Sequence, residues 1–147
     1  GQFTTNPGFV WAQYLADFYG TSAAPNGNGQ TGPNYAAGGA RVGVNTTGAL
    51  GPIPSLATQV NNYLTANGGR ADSRALYTVW GGANDLFAIT NAGADPTLTI
   101  GGAVAAEVGI VGALRNAGAR YIMVATVPDL GLTPAFRAQG AAAQAAG

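Results

Sequence analysis

The stretch "LYTVWGGANDLF", residues 76–87, joins a short apolar run to two glycines and an Asn-Asp pair. The continuous hydrophobicity of its first half is typical of a strand that is covered on both faces in a parallel sheet. Gly81 and Gly82 would end that strand, and Asn84 and Asp85 would open the next element. Two interpretations of the pair stay open here: one of the two side chains caps a short helix, or Asn84 faces a ligand.

A second apolar run, "RYIMVATVP" at residues 120–128, has the same character. A long apolar segment lies between the two runs and ends near Gly118, which suits the end of a helix. One face of that helix would carry five apolar side chains, Ile100, Val104, Val108, Val111 and Leu114. Strand, long helix and strand together predict a parallel β-α-β crossover.

Further helices are predicted on both sides of this crossover. Apolar residues between positions 10 and 18 recur at helical spacing, and Gly20 suits the position just past a helix end. Ser55 is expected to be the N-cap of a second helix, which Gly68 and Gly69 would end. An Ala-rich helix is expected after Pro134. The sequence contains no internal repeat, and a chain of 147 residues is expected to form one domain.

Three polar or glycine-rich loops are expected at one edge of the sheet. Gly38-Gly39, the segment from Gly81 to Asp85, and Pro128-Asp129 each follow the end of a predicted strand. In an open parallel sheet, ligands bind outside the carboxyl ends of the strands, so this edge is the predicted site. On its own, Gly38-Gly39 could equally be a turn that needs a positive φ.

Composition excludes several kinds of chemistry. Charged residues make up 8% of the chain, the formal net charge is zero, and the six basic residues are scattered arginines, so no nucleic-acid partner is expected. The chain has no cysteine, hence no disulfide and no thiolate metal site. No uninterrupted run of 18 or more apolar residues is present, so no membrane-spanning helix is expected. The chain also has no histidine, and therefore cannot form a Ser-His pair by itself.

One glycine pattern invites a nucleotide-binding hypothesis. "GNGQTG", with Gly27, Gly29 and Gly32, matches GxGxxG. That motif needs a strand before it and a helix N-terminus after it, so that backbone amides reach the pyrophosphate. Here a predicted helix end precedes the motif and Pro33 follows it, which favours a flexible surface loop.

Two motifs resemble a known family of hydrolases. "NYAAGGAR" (34–41) followed by "GGAND" (81–85) is similar to the second and third conserved blocks of the SGNH, or GDSL, esterases and lipases. The flanking segments "FTTNPGFVWAQYLA" and "GARYIMVATVPDLGLTPAF" resemble the passenger domain of autotransporter-type GDSL esterases of Gram-negative bacteria. The resemblance implies a flavodoxin-like three-layer α/β/α fold with a parallel sheet, incomplete in this chain. It also implies a protein that is secreted or displayed on the outer membrane.

The resemblance also implies the chemistry of a site. The chain would contribute to a carboxylic-ester hydrolase that acts through an acyl-serine intermediate and needs no metal or organic cofactor. Gly39, in preference to Gly38, would supply an oxyanion amide, and the Asn84 carboxamide would supply a second donor. Preorganised N–H donors suit this task because the tetrahedral intermediate carries negative charge on the former carbonyl oxygen. Asp85 is expected to cap the turn.

The chain also departs from the family pattern. It contains neither a GDSL block nor an Asp-x-x-His block, so residues 1–147 are expected to be the central part of a single SGNH domain. Another polypeptide segment, from the same or a separate chain, is expected to complete the sheet. Ser22, Ser55 and Ser73 lie outside any GDSL context and are not assigned as nucleophiles, and Asp129 is expected to cap a loop. The alternative is a catalytically inactive module of the same fold that binds an ester or a glycan.

Overall fold

The computed structural model describes residues 8–27 and 29–138, which fall into two units that divide after Gly38. The first unit contains helix α1 (Trp11–Phe18) and a hairpin of two short antiparallel strands, β1 (Asn26–Gly27) and β2 (Gln30–Thr31). Helix α1 and its end near Gly20, which has φ +66°, confirm the prediction. The GxGxxG residues belong to the hairpin rather than to a strand-to-helix turn, so they lack the geometry of a dinucleotide site.

The second unit begins at Gly39 and contains a second hairpin followed by alternating helices and strands. The elements are β3 (Thr46–Gly48), β4 (Gly51–Ile53), α2 (Leu56–Ala66), β5 (Leu76–Val79), α3 (Ala83–Ala92), α4 (Pro96–Asn116), β6 (Tyr121–Val124), a 3₁₀ helix (Leu130–Leu132) and α5 (Pro134–Arg137). The Ala-rich helix predicted after Pro134 is observed as the short α5, and residues 139–147 lie outside the described part of the chain. The β3–β4 hairpin was not predicted from the sequence.

Strands β5 and β6 are parallel neighbours, with Leu76 opposite Tyr121 and Val79 opposite Val124. This pairing confirms the predicted crossover, which runs through both α3 and α4. The expectation that both faces of the strands are covered is wrong for the described residues, since Leu76 is 47% exposed and Tyr121 60%. The physical reason is that a face of a sheet is covered by elements packed on it, and within the described residues nothing covers Leu76 and Tyr121 fully.

Helix α4 packs against α2 and α3, and only part of the predicted apolar face is buried, at Leu114 and in part at Val111. Its buried residues are Thr99, Ile110 and Leu114, whereas Val104 and Val108 are exposed. Alanine, glycine and branched apolar residues occur on every face of α4 itself. The spacing of its apolar residues therefore could not identify the face that packs. The helix also has the length and hydropathy of a membrane-spanning segment, as many core helices of soluble proteins do. Glu107 interrupts the apolar residues of α4, so the helix is not an uninterrupted apolar run, and the expectation that no helix spans a membrane stays a prediction.

Helix α2 forms as its sequence predicts. Ser55 is its N-cap, and the buried Ser55 Oγ accepts a hydrogen bond from the Thr58 N–H at 3.2 Å. Gly68 and Gly69 follow the helix with φ of +63° and +76°, a conformation that most residues with side chains avoid. The start of α2 lies next to the segment that follows Gly39, because its first backbone N–H groups donate to that segment.

One predicted strand is not formed. Residues 35–37 lie outside every strand, and Gly38-Gly39 form a turn. A strand needs a hydrogen-bonded neighbour, and the described residues offer this segment only an isolated bridge at Asn34. The prediction that three strand ends form one edge is therefore wrong for the first of the three loops.

Candidate functional site

The candidate site lies at the junction between the end of β5 and the start of α3. Gly82 is the N-cap of α3, with φ +100° and ψ −32°, and no side chain caps the helix. A Cβ atom on Gly82 would lie 2.7 Å from Val127 Cγ2, and one on Gly81 would lie 2.5 Å from Leu56 Cδ2. Both positions favour glycine, because an added Cβ would push aside the side chain of another segment, and Gly82 also has a positive φ.

Asn84 and Asp85 lie in the first turn of α3, after the N-cap rather than at it. The prediction that either side chain caps this helix is wrong. Because the Gly82 carbonyl accepts hydrogen bonds from the backbone of Asp85 and Leu86, both polar side chains are free to reach other segments. Of the two sequence-based interpretations, capping by this pair is excluded, and a ligand contact of Asn84 stays a prediction.

The Asn84 carboxamide reaches the segment that follows Gly39. Asn84 Nδ2 donates a hydrogen bond of 2.9 Å to the carbonyl oxygen of Ala40. A carboxamide has two N–H donors, and within the described residues only this bond of the Asn84 side chain is formed. The second N–H of the carboxamide makes no hydrogen bond within the described residues, and the bond to Ala40 restricts its orientation.

Gly39 lies in an exposed turn with φ +81°. A Cβ atom there would lie 3.2 Å from Ile53 Cδ1, so a larger residue would meet both backbone strain and a close contact. Within the described residues, the Gly39 N–H donates to no backbone or side-chain acceptor. The structure therefore places an unpaired backbone donor one residue before the carbonyl that Asn84 holds.

Asp85 binds the same segment two residues further on. Its Oδ1 accepts a hydrogen bond from Arg41 Nε at 3.0 Å, and its Oδ2 accepts one from the Val42 N–H at 3.0 Å. Asp85 is 3% exposed and the Arg41 side chain 19%, so this is a partly buried ion pair with a buried carboxylate. Sequence reasoning missed this role, although the arginine in "GGAR" was the available signal.

The N-terminus of α2 holds residues 41 and 42 from another direction. The Leu56 N–H donates to the Arg41 carbonyl and the Ala57 N–H to the Val42 carbonyl, each at 3.0 Å. These donors would otherwise be unpaired at the start of the helix. Residues 40–42, called the clamped segment below, are thus fixed by the first turns of both α2 and α3.

A carboxyl group on α4 lies near this ion pair. Glu107 Oε1 is buried and has no hydrogen-bond partner within the described residues. Burial raises the pKa of the Glu107 carboxyl, and the negative charge of Asp85 raises it further. The local electrostatics therefore combine two carboxyl groups with the single guanidinium of Arg41.

A groove lies beside the clamped segment. It has a volume of about 350 Å³ and runs between residues 41–44 and the first half of α4. Leu98 and Ala103 contribute apolar surface, and Asp85 and Arg41 lie at its polar end. Among the described residues, no group of His, Cys, Asp or Glu is arranged to hold a metal ion.

The remaining polar residues considered from the sequence have local structural contacts. Asp129 Oδ1 accepts the Gly131 N–H at 2.9 Å and caps the 3₁₀ helix, which confirms its predicted role. Ser55 is the buried cap of α2, and the Ser22 Oγ accepts the Ala24 N–H. Ser73 is half-buried.

These features define a member of a known hydrolase family. The chain belongs to the GDSL-like lipase/acylhydrolase family, whose model matches residues 2–146. That membership confirms the resemblance seen in "GGAR" and "GGAND", and it implies the α/β fold to which the parallel strand pair and its helices belong. The family also connects the chain with ester hydrolysis in general.

Two relatives illustrate the match. The chain is 40% identical over 103 residues to "Lipase 1" of Photorhabdus luminescens, a region covering 70% of this chain and 15% of the relative. It is 50% identical over 72 residues to an uncharacterized protein in the trpE-trpG intergenic region of Pseudomonas putida, covering 48% of this chain and 12% of that protein. The chain therefore spans a small fraction of the length of either relative.

Proposed function

We propose that this chain is part of a carboxylic-ester hydrolase in which the Gly39 N–H and the Asn84 carboxamide stabilise the oxyanion of an acyl-serine mechanism. The hydrogen bond from Asn84 Nδ2 to the Ala40 carbonyl is the observation that carries this proposal. It ties the carboxamide to the residue after Gly39, whose own N–H is unpaired within the described residues.

The chemistry requires donors that are already in place before the reaction begins. Attack on an ester carbonyl places a negative charge on its oxygen, and fixed N–H groups stabilise that charge more in the transition state than in the ground state. Asn84 satisfies this requirement because one N–H holds the Ala40 carbonyl while the other stays free. Neither amide titrates near neutral pH, so these two donors add no pH dependence of their own.

The nucleophile and its base would come from outside residues 1–147. The chain has no histidine, and Ser55, the most buried of its serines, is used as a helix cap. The exposed apolar side chains of β5 and β6, including Leu76 and Tyr121, support a second part of the proposal. Another segment of the same domain, in the same or a separate chain, would cover this sheet and bring the catalytic serine to the oxyanion donors.

The test uses the full-length protein with whatever sequence its gene encodes around residues 1–147. Asn84→Ala is expected to lower kcat on a short p-nitrophenyl ester by about 10²–10³, the usual effect of losing one oxyanion donor. Asn91→Ala is the matched control, because Asn91 is an exposed carboxamide near the other end of α3. Full turnover by Asn84→Ala would rule out the assigned role of that side chain.

A serine-directed phosphonate separates this function from its alternative. The parent protein is expected to form a covalent adduct and lose activity. If the full-length protein shows neither turnover nor an adduct, the catalytically inactive binding module becomes the better reading. The absence of histidine from this chain is the observation that favours that second candidate.

The location of the protein is part of the same proposal. The flanking segments 3–16 and 118–136 resemble autotransporter-type esterases, which supports a secreted or surface-displayed protein. Ester hydrolysis by washed intact cells, lost after external protease treatment, is the expected result. Activity that is retained after protease treatment and released only on cell lysis would contradict it.

A further inference from the structure

Asp85 makes contacts that the oxyanion proposal does not use. Its carboxylate is almost completely buried, and both oxygens bind the clamped segment, one at Arg41 and the other at the Val42 backbone. The preceding residue, Asn84, binds the same segment at Ala40. Two consecutive side chains of one helical turn thus hold three consecutive residues next to Gly39.

Stability alone is a poor reason for this arrangement. Burying an ion pair removes both charges from water, and apolar replacements of such pairs are often neutral or stabilising. Glu107, whose Oε1 has no hydrogen-bond partner within the described residues, places a second carboxyl group close to Asp85. A core chosen for stability only would not combine these groups, so the contacts of Asp85 call for another explanation.

The geometry of the segment around Gly39 offers another explanation for the contacts of Asp85. Gly39 is in an exposed turn with a positive φ, and the φ and ψ angles of Gly39 set the direction of its N–H relative to residues 40–42. Asp85 fixes the Val42 N–H and the Arg41 guanidinium, which stops residues 40–42 from rotating as a unit. Misplacing a catalytic group by about 1 Å can cost about 10²-fold in rate, so small rotations of this segment would have a measurable effect.

We infer that Asp85, together with Arg41, is a positioning residue that keeps the Gly39 amide and the Asn84 carboxamide directed at one point. The inference rests on the proposed oxyanion role of Gly39 and Asn84. Asp85 itself does not touch the reacting atoms. Asp85 acts through the clamped segment. Gly39, with the backbone donor, directly precedes this segment, and Ala40, its first residue, carries the carbonyl that accepts from Asn84.

The first variant is Asp85→Asn in the full-length protein. Asparagine keeps the shape of the side chain but places an amide or a neutral oxygen against Arg41 Nε, which weakens the clamp. The expected result is a fall in kcat of about 10- to 100-fold, with KM changed by less than about threefold. Because α2 also holds residues 41 and 42 through its first N–H groups, the fold is expected to survive the substitution.

A second ion pair in the chain provides the matched control. Arg74 Nε and Asp72 Oδ1 are 3.6 Å apart, with side chains 90% and 54% exposed. Asp72→Asn therefore removes the same charge from a surface pair that has no connection with the clamped segment. It is expected to leave both kcat and KM unchanged, since exposed pairs contribute little.

A double variant distinguishes positioning from general loosening of the fold. If Asp85 acts through the oxyanion donors, Asn84→Ala combined with Asp85→Asn will lose less activity than the product of the two single losses, by at least about fivefold. A loss equal to the product, at equal folded fraction, would show that Asp85 acts independently of Asn84. That result would overturn the inference.

The remaining outcomes separate this inference from the function on which it rests. If Asn84→Ala lowers kcat but folded Asp85→Asn does not, the positioning role fails and the oxyanion proposal stands. If Asn84→Ala leaves kcat unchanged, the oxyanion proposal is wrong, and so is the positioning role that rests on it. Should Asp85→Asn not fold, Arg41→Gln replaces it, with an expected fall in kcat of about 3- to 10-fold. Unchanged kcat in Arg41→Gln, or failure of both variants to fold, also overturns the positioning role.

Discussion

Gly82, two residues before Asn84, offers a quantitative test of how the site is built. Gly82 has φ +100° and ψ −32°, and an added Cβ would lie 2.7 Å from Val127 Cγ2. Backbone conformations of this kind cost a non-glycine residue about 1–3 kcal/mol, and overlap in a packed contact adds about 1–3 kcal/mol. Because the side chain of Val127 can move slightly, we expect Gly82→Ala to lower the free energy of unfolding by about 3 kcal/mol.

Gly93 is the matched control for this prediction. It lies at the other end of α3 with φ +67°, and an added Cβ would meet nothing within 4 Å. Gly93→Ala carries only the cost of the left-handed conformation, about 1–2 kcal/mol, so the two variants should differ by about 1–2 kcal/mol. Urea-induced unfolding of the full-length protein, followed by circular dichroism, measures both.

A third variant separates the two contributions at Gly82. Val127→Ala removes the group that the new Cβ would meet, so Gly82→Ala should cost less in that background than in the parent protein. The part that remains reports the backbone strain. If Gly82→Ala is no more destabilising than Gly93→Ala, the steric account of the glycine pair is wrong.

Two further predictions concern the surroundings of the clamped segment. Ser55→Ala removes the acceptor for the Thr58 N–H and should lower the free energy of unfolding by about 1 kcal/mol in urea unfolding, whereas Ser73→Ala should have little effect. Burial and the charge of Asp85 raise the pKa of Glu107, so the folded protein binds that proton more tightly than the unfolded chain does. Stability should then fall as the pH rises from the ordinary value of 4.5 through the folded pKa. Glu107→Gln should lack this fall and exceed the parent in stability at neutral pH, with no gain below pH 4.5, as measured by urea unfolding across pH.

Local signals in the sequence were sufficient for several elements. Ser55 followed by helical spacing and a glycine pair predicts α2 with its cap, because each of these signals acts within a few residues. Two short apolar runs separated by a long helix predict the parallel pair of β5 and β6, since parallel strands need a crossover of that length. The resemblance of "GGAND" to a family motif also singled out Asn84 as a candidate site residue, and its role as a donor stays a prediction.

The features that the sequence did not reveal depend on partners distant along the chain. The face of α4 that packs was predicted only in part, at Leu114, because the exposed Val104 and Val108 are as apolar as the buried Ile110 and Leu114. The contact of Asp85 with Arg41 spans 44 residues, and no local pattern specifies it. A strand before Gly38-Gly39 was expected on hydrophobicity alone, but strand formation requires a paired neighbour.

The order of the Asn-Asp pair follows from the atoms that it meets. The clamped segment presents a carbonyl oxygen at Ala40 and an N–H donor at Val42. A carbonyl oxygen needs a donor, which a carboxylate cannot be, so the residue that reaches Ala40 must be the asparagine. An N–H beside a half-buried guanidinium is best matched by a carboxylate, whose two oxygens accept from both donors, and this suits the aspartate to Val42 and Arg41. Consecutive residues on a helix point about 100° apart, which lets one turn supply both groups once a glycine pair has set where the helix begins.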